Sequence, residues 1–192
     1  MSRIDPIACA LFLIAAFMMA GIAQTAWFKA PISQRFSIPL DAGLTLRGRR
    51  LFGAHKTLRG FIVMVPAASI AFALLALATG HPENAGLWPL TIWQYACLGA
   101  WAAFGFMAGE LPNSFIKRQL DIAPGGIGTS STGRFIQLVI DRLDSPAGML
   151  AALSVVVTLP ALTWAIAVLV GPMLHGFFSF VMFRLGLKAR PA

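Results

Sequence analysis

Residues 146–187 read "PAGMLAALSVVVTLPALTWAIAVLVGPMLHGFFSFVMFRLGL", with Arg184 the single Lys, Arg, Asp or Glu in the stretch. An apolar run of about 20 residues crosses the hydrocarbon core as one helix, so this stretch holds two crossings. Pro160 and the Gly171, Pro172 pair are both candidate breaks; the turn is placed at 160–163. Runs of the same character occupy residues 7–28, 61–79 and 92–108. The expectation is an all-α polytopic membrane protein with about five transmembrane helices, forming a single membrane-embedded domain over 1–192.

Composition agrees. Of 192 residues, 58% are hydrophobic and 11% are charged, whereas a soluble domain carries about 25% charged residues. The missing charge implies a surface covered by lipid. Fifteen Lys and Arg against seven acids give a net charge of +8. Such an excess marks cytoplasmic loops and contact with anionic headgroups; a phosphate-bearing substrate fits it equally, and nucleic acid is not expected as a partner. Cys9 and Cys97 both lie in apolar runs without CxxC spacing, which argues against a disulfide framework or a thiolate metal site. The run over 7–27 exceeds a signal-peptide core, and its flank holds only Arg3, offset by Asp5, so it reads as a retained helix.

The cations are unevenly placed. Residues 29–60 hold Lys29, Arg35, Arg47, Arg49, Arg50, Lys56 and Arg59 against Asp41 alone. Residues 110–145 hold Lys117, Arg118, Arg134 and Arg142, and the C-terminal tail holds Arg184, Lys188 and Arg190. The connection "GHPENAG" has no Lys or Arg. Positive-inside logic puts both long loops and the C-terminus in the cytoplasm and the N-terminus outside, an arrangement that an odd number of spans requires. The chain is thus expected in the cell (inner, cytoplasmic) membrane, with any active site on the cytoplasmic face.

Three constellations in those loops carry the chemistry. In "RGRRLFGAHKTLRGF" (47–61), Gly53 and Gly60 permit close backbone approach, and Lys56, Thr57 and Arg59 offer phosphate donors. The P-loop spacing is absent, and a loop that only grips headgroups reads equally well. In "MAGELPNSFIKRQLDIAPGG" (107–126), Glu110 ends an apolar span, where an unpaired charge is costly and often functional. Ser114, Lys117 and Arg118 follow near one side of a helix, a pattern that an amphipathic interfacial helix also gives. Asp121 reads as a solvated or helix-end group. The Gly/Ser/Thr-rich "APGGIGTSSTGR" is either a flap over a ligand or a connector. In "VIDRLDSPAG" (139–148), Asp141 and Asp144 share a helix face at the mouth of the fourth helix. Two carboxylates there, with Glu110 at another helix end, suit magnesium, which commonly takes one or two carboxylates plus substrate phosphates.

In series, "GAHKTLRGF", "GELPNSFIKR" and "DRLDS" resemble the CTP:lipid-phosphate cytidylyltransferase superfamily, and within it the CDP-archaeol synthase branch, over residues 47–188. The resemblance implies transfer of a cytidylyl group from CTP to a lipid phosphate with release of pyrophosphate, and magnesium as cofactor. It implies Asp141 and Asp144 as metal ligands, Glu110 standing where the family has Asp, and catalytic roles for Asp141, Asp144 and Lys117. Lys56, Thr57 and Arg59 match the nucleotide and phosphate loop; Ser114 and Arg118 match a second phosphate-binding segment. The implied partners are CTP, a membrane lipid phosphate and the bilayer, with room for a homodimer. The phosphatidate branch carries P-G-H-G-G before its D-R-x-D; Pro124, Gly125 and Gly126 lack that histidine, while Arg142 resembles that branch. Phosphatidic acid is therefore the alternative substrate, and a non-catalytic scaffold binding anionic lipid is the alternative class. A CDP-alcohol phosphatidyltransferase would need acids beyond Asp144, and none follows.

Overall fold

The computed structural model describes residues 4–122 and 131–187, with the side chains of 131–136 and 138 excepted. The Gly/Ser/Thr-rich stretch over 123–130, the side chain of Arg134, and Lys188 and Arg190 lie outside the described residues. The described residues form α1 (Pro6–Lys29), α2 (Leu58–Thr79), α3 (Ile92–Gln119), α4 (Ser131–Val156) and α5 (Ala161–Arg184). Three of these, α1, α2 and α5, are long and apolar enough to cross a membrane by themselves. The helices α3 and α4 are as long, at 28 and 26 residues, and carry the charged residues of the second and third constellations.

Local chemistry sets the boundaries. Asp5 caps α1 by accepting from the N–H groups of Ile7 and Ala8, both at 2.8 Å, and Pro6 sits in the first turn where its missing N–H costs nothing. Thr91 and Gln94 form a reciprocal capping box on α3. The helix α2 ends on Gly80 at φ +68°, a left-handed conformation that suits a residue without a Cβ. The break between α4 and α5 falls at residues 157–160, beside the expected turn, while Gly171 and Pro172 lie inside α5.

The loop over 29–60 is not featureless. It holds a 3₁₀ segment (Pro31–Phe36) and a two-residue antiparallel hairpin, β1 (Thr45–Leu46) and β2 (Arg49–Arg50), in the register Thr45 to Arg50 and Leu46 to Arg49. Arg47 and Gly48 make its turn at φ +52° and +75°.

The expected loop over 110–145 is corrected. Residues 110–119 continue α3, and α4 begins at Ser131, so Asp141 and Asp144 stand ten or more residues inside a helix rather than at its mouth. The misleading signal is charge, since Glu110, Lys117, Arg118, Asp141 and Asp144 read as loop or helix-end residues; Pro112 and Pro146 are both internal to helices. Proline removes a backbone hydrogen bond and crowds the carbonyl four residues earlier. Packed membrane helices tolerate it because their neighbours re-satisfy the freed groups.

The core lies at the end of the bundle away from these acids. Phe12 meets Phe72 edge-on at 5.1 Å between centroids. Trp88 Nε1 donates to the Thr158 carbonyl at 2.9 Å, and Tyr95 donates to the Trp88 carbonyl at 2.7 Å. Large apolar side chains such as Leu169 and Val155 remain exposed, at 72% and 79%, as a lipid-facing surface requires. Glycines set the helix spacing: Gly105 and Gly109 on α3 meet Gly148 on α4, and a Cβ on Gly148 would fall 2.6 Å from the Gly109 Cα. Side chains are absent at that crossing because the backbones touch.

Candidate active site

The glycine crossing delivers one face of α3 onto one face of α4. Glu110, Asn113 and Lys117, at spacings of three and four, share a side of α3; Asp141, Asp144 and Ser145 answer from α4. The Asn113 amide nitrogen donates to Asp141 Oδ1 at 2.6 Å and to Asp144 Oδ2 at 3.0 Å. Lys117 Nζ pairs with the same Asp141 oxygen. Lys56, from the loop ahead of α2, pairs with Glu110 Oε2. Ser145, fully buried, donates to Glu110 Oε1 at 2.7 Å, and its hydroxyl lies 3.4 Å from Asp144 Oδ1. The Ser145 backbone N–H also donates to Asp144 Oδ1 at 2.7 Å. Three carboxylates thus meet two lysines. Among the described residues, the hydrogen-bond partners of Asp144 are the neutral Asn113 and Ser145.

The basic loop is tied down beside this cluster. Asp41 is 2% exposed. Its Oδ2 accepts from Phe52 N at 3.2 Å and Gly53 N at 3.0 Å, its Oδ1 accepts from Gly43 N at 3.1 Å, and Arg50 pairs with it. Burial pushes this carboxyl up, but Arg50 and the three N–H donors outweigh burial and hold it well below the usual carboxylate range. Gly53, at φ +91°, leaves room for Arg118: a Cβ there would meet the Arg118 Cδ at 3.4 Å. The Arg118 Nε is buried without a hydrogen-bond partner among the described residues. Arg49 bonds to the Gln119 carbonyl and to Asp121 at the end of α3, so Asp121 is an exposed helix-end group that clamps the hairpin.

Of the residues expected from sequence, Lys56, Glu110, Lys117, Asp141 and Asp144 come together, and Arg118 lies at the edge of the group under Gly53. Ser114 spends its hydroxyl on the Glu110 carbonyl at 2.8 Å. Thr57 is the N-cap of α2 without a side-chain capping bond. Arg59 turns toward α1, bonding the Phe28 carbonyl and lying 4.5 Å from the Phe28 ring centroid. Arg142 lies beside Gly176 of α5, where a Cβ would be 3.6 Å from its Nε. Sequence reasoning missed Asn113, Ser145 and Asp41. The first had a signal, since it sits midway on the face shared by Glu110 and Lys117. The Gly105, Gly109 pair, four apart in an apolar span, is a second.

The donor set suits a hard divalent cation. Two carboxylate oxygens converge on a single amide nitrogen, and among the described residues Asp144 forms no direct ion pair. No three His, Cys, Asp or Glu side chains among the described residues close around one point. The protein therefore offers two converging carboxylates, the number that magnesium takes when phosphates complete its shell.

An acid pair on a lysine-lined crossing, inside a bundle with a lipid-facing apolar surface, defines a multi-pass membrane enzyme. Residues 10–191 match the family model described as CarS-like, CDP-archaeol synthase. A CDP-archaeol synthase of Thermofilum pendens is 33% identical over 168 residues, spanning 85% of this chain and 71% of that one. That of Aeropyrum pernix is 31% identical over 195 residues, spanning 98% and 94%. A solved structure of an intramembrane enzyme for archaeal membrane lipids biosynthesis matches with a TM-score of 0.62 at 27% identity, covering 91% of this chain and 95% of its own. The chain belongs to the CarS-like CDP-archaeol synthase family.

Proposed function

We propose that this protein transfers the cytidylyl group of CTP to the phosphate of a membrane lipid, an archaeol-type ether lipid phosphate being the substrate class, and releases pyrophosphate. The observation that carries the reading is the meeting of Asp141 and Asp144 on the Asn113 amide, with Lys56, Lys117 and Arg118 gathered at the same end of α3. The reading treats 1–192 as one domain with five spans, its N-terminus outside and its site facing the cytoplasm. The concentration of Lys and Arg in the loop over 29–60 and at the ends of α3 and α5 supports that orientation.

In the reaction a lipid phosphate oxygen attacks the α-phosphorus of CTP. The bond from that phosphorus to the bridging oxygen breaks, and pyrophosphate leaves with the electron pair. A phosphate nucleophile is ionised at neutral pH, so the chain needs to supply neither a nucleophile nor a general base. Its work is positioning and charge neutralisation. Lys117 is held at the acid pair by Asp141, where its ammonium meets the incoming phosphates. Lys56 is held by Glu110, two turns before Lys117 on the same side of α3. Arg118 carries a buried N–H, without a hydrogen-bond partner among the described residues, beside Gly53, suited to a phosphate oxygen. Magnesium, held by Asp141 and Asp144, would neutralise triphosphate charge.

The test is pyrophosphate release by purified protein in detergent with CTP, magnesium and either an ether lipid phosphate or phosphatidic acid. Release with the ether lipid is expected. Release with phosphatidic acid alone would move the substrate to the ester class, and release with neither, from folded protein, would leave a scaffold that binds anionic lipid.

A further inference from the structure

Glu110 is committed at both oxygens. Oε2 pairs with Lys56, and Oε1 accepts from the fully buried Ser145 at 2.7 Å. Asn113 stands differently. Its NH₂ group occupies the point between Asp141 and Asp144 that a cation would take, at 2.6 Å and 3.0 Å. An amide offers two N–H donors on one edge and a carbonyl oxygen on the other, and the structure uses the donors to hold two carboxylates that would otherwise repel.

Turned over, the same side chain would present its oxygen to the acid pair. Against two bare carboxylates that orientation is repulsive; with a divalent cation between them it is attractive, because amide carbonyls are ordinary ligands of hard cations. We infer that Asn113 is a cation ligand of this site, its side-chain oxygen being the third protein ligand beside Asp141 and Asp144 in place of Glu110. The inference rests on the proposed reaction only in taking this cation to be that reaction's magnesium. It assigns Glu110 to positioning Lys56.

Manganese binding, followed by electron paramagnetic resonance on the full-length protein in detergent without CTP, tests this apart from turnover. Asn113→Ala is expected to weaken manganese binding about tenfold, the lower end of what a lost supporting group costs a metal site. Asn113→Asp, which keeps an oxygen and loses the donors, is expected to bind at least as tightly as the wild type. Glu110→Gln is expected to bind like the wild type. Wild-type affinity in Asn113→Ala would overturn the inference. So would an Asn113→Asp variant as weak as Asn113→Ala, since the amide would then act only as a donor between the acids. Asp144→Asn locates a failure: if it leaves manganese binding intact, the acid pair holds no cation, and the site proposed for the reaction fails along with the inference.

Discussion

Gly148 on α4 lies backbone against backbone with Gly109 on α3: a Cβ on Gly148 would fall 2.6 Å from the Gly109 Cα and 3.0 Å from its nitrogen. Neither residue bears any chemistry. Their contact nevertheless sets how far Asn113 and Lys117 stand from Asp141 and Asp144, because each glycine is within about two turns of those residues on its own helix.

Gly148→Ala should therefore cost activity out of proportion to its size. Overpacking a close contact typically destabilises by about 1–3 kcal/mol, and here the added methyl meets backbone that cannot rotate away. The expected outcome is a lower Tm in detergent together with at least a tenfold fall in kcat/KM, about 1.4 kcal/mol of transition-state stabilisation. Wild-type turnover with only a lowered Tm would show that the crossing distance is not critical.

Asp141→Asn and Asp144→Asn should each reduce kcat by about 100-fold or more, the scale of losing a preorganised electrostatic group. Both variants should still appear folded in the membrane fraction, since an amide fills the same volume. Steady-state kinetics with CTP and a lipid phosphate, beside a thermal melt, check the two halves of the expectation.

Lys56 and Glu110 should behave as one unit. Glu110→Gln leaves the Lys56 ammonium without its anchor, so KM for CTP should rise more than kcat falls. In the cycle with Lys56→Met, the double variant should be little worse than Lys56→Met alone, giving a coupling of about 0.5–3 kcal/mol. Additive losses would mean that the two act separately.

Asp41 gives the loop a pH signature. Its carboxyl sits well below the ordinary range in the folded protein: burial opposes this, and Arg50 with the N–H groups of Gly43, Gly53 and Phe52 prevails. A depressed folded value contributes stability that is fully present above the unfolded value, near 4, and is lost as pH falls toward the folded one. Asp41→Asn should therefore be less stable than wild type at neutral pH, with the difference shrinking as the medium is acidified below about pH 4. Orphaning the loop N–H donors costs about 1–3 kcal/mol, readable as faster protease cleavage between Gly43 and Lys56. A difference that does not change with pH would contradict the assignment.

Much of this was legible before any coordinates. Apolar runs over 7–28 and 61–79 fall within α1 (Pro6–Lys29) and α2 (Leu58–Thr79), because uninterrupted hydrophobicity is a long-range signal that tertiary contacts cannot cancel. Lys117, Asp141 and Asp144 stood out because charge inside an apolar chain is conspicuous. The end of α3 and the start of α4 were not legible, since the charged residues over 110–145 read as a loop, and only the surrounding bundle makes Pro112 and Pro146 tolerable inside helices. Asn113, Ser145 and Asp41 are ordinary polar residues in sequence. Their roles come from partners 28 to 31 residues away for Asn113, 35 for Ser145, and from a hairpin fold for Asp41, none of which local spacing encodes.

The most direct measurement follows the phosphorus. Purified protein incubated with lipid phosphate, magnesium and CTP labelled at the α-phosphate should yield labelled lipid, while CTP labelled at the γ-phosphate should yield labelled pyrophosphate and unlabelled lipid. Lipid labelled from the γ-position, or no transfer from the α-position by protein that remains folded, would contradict cytidylyl transfer at the Asp141 and Asp144 site.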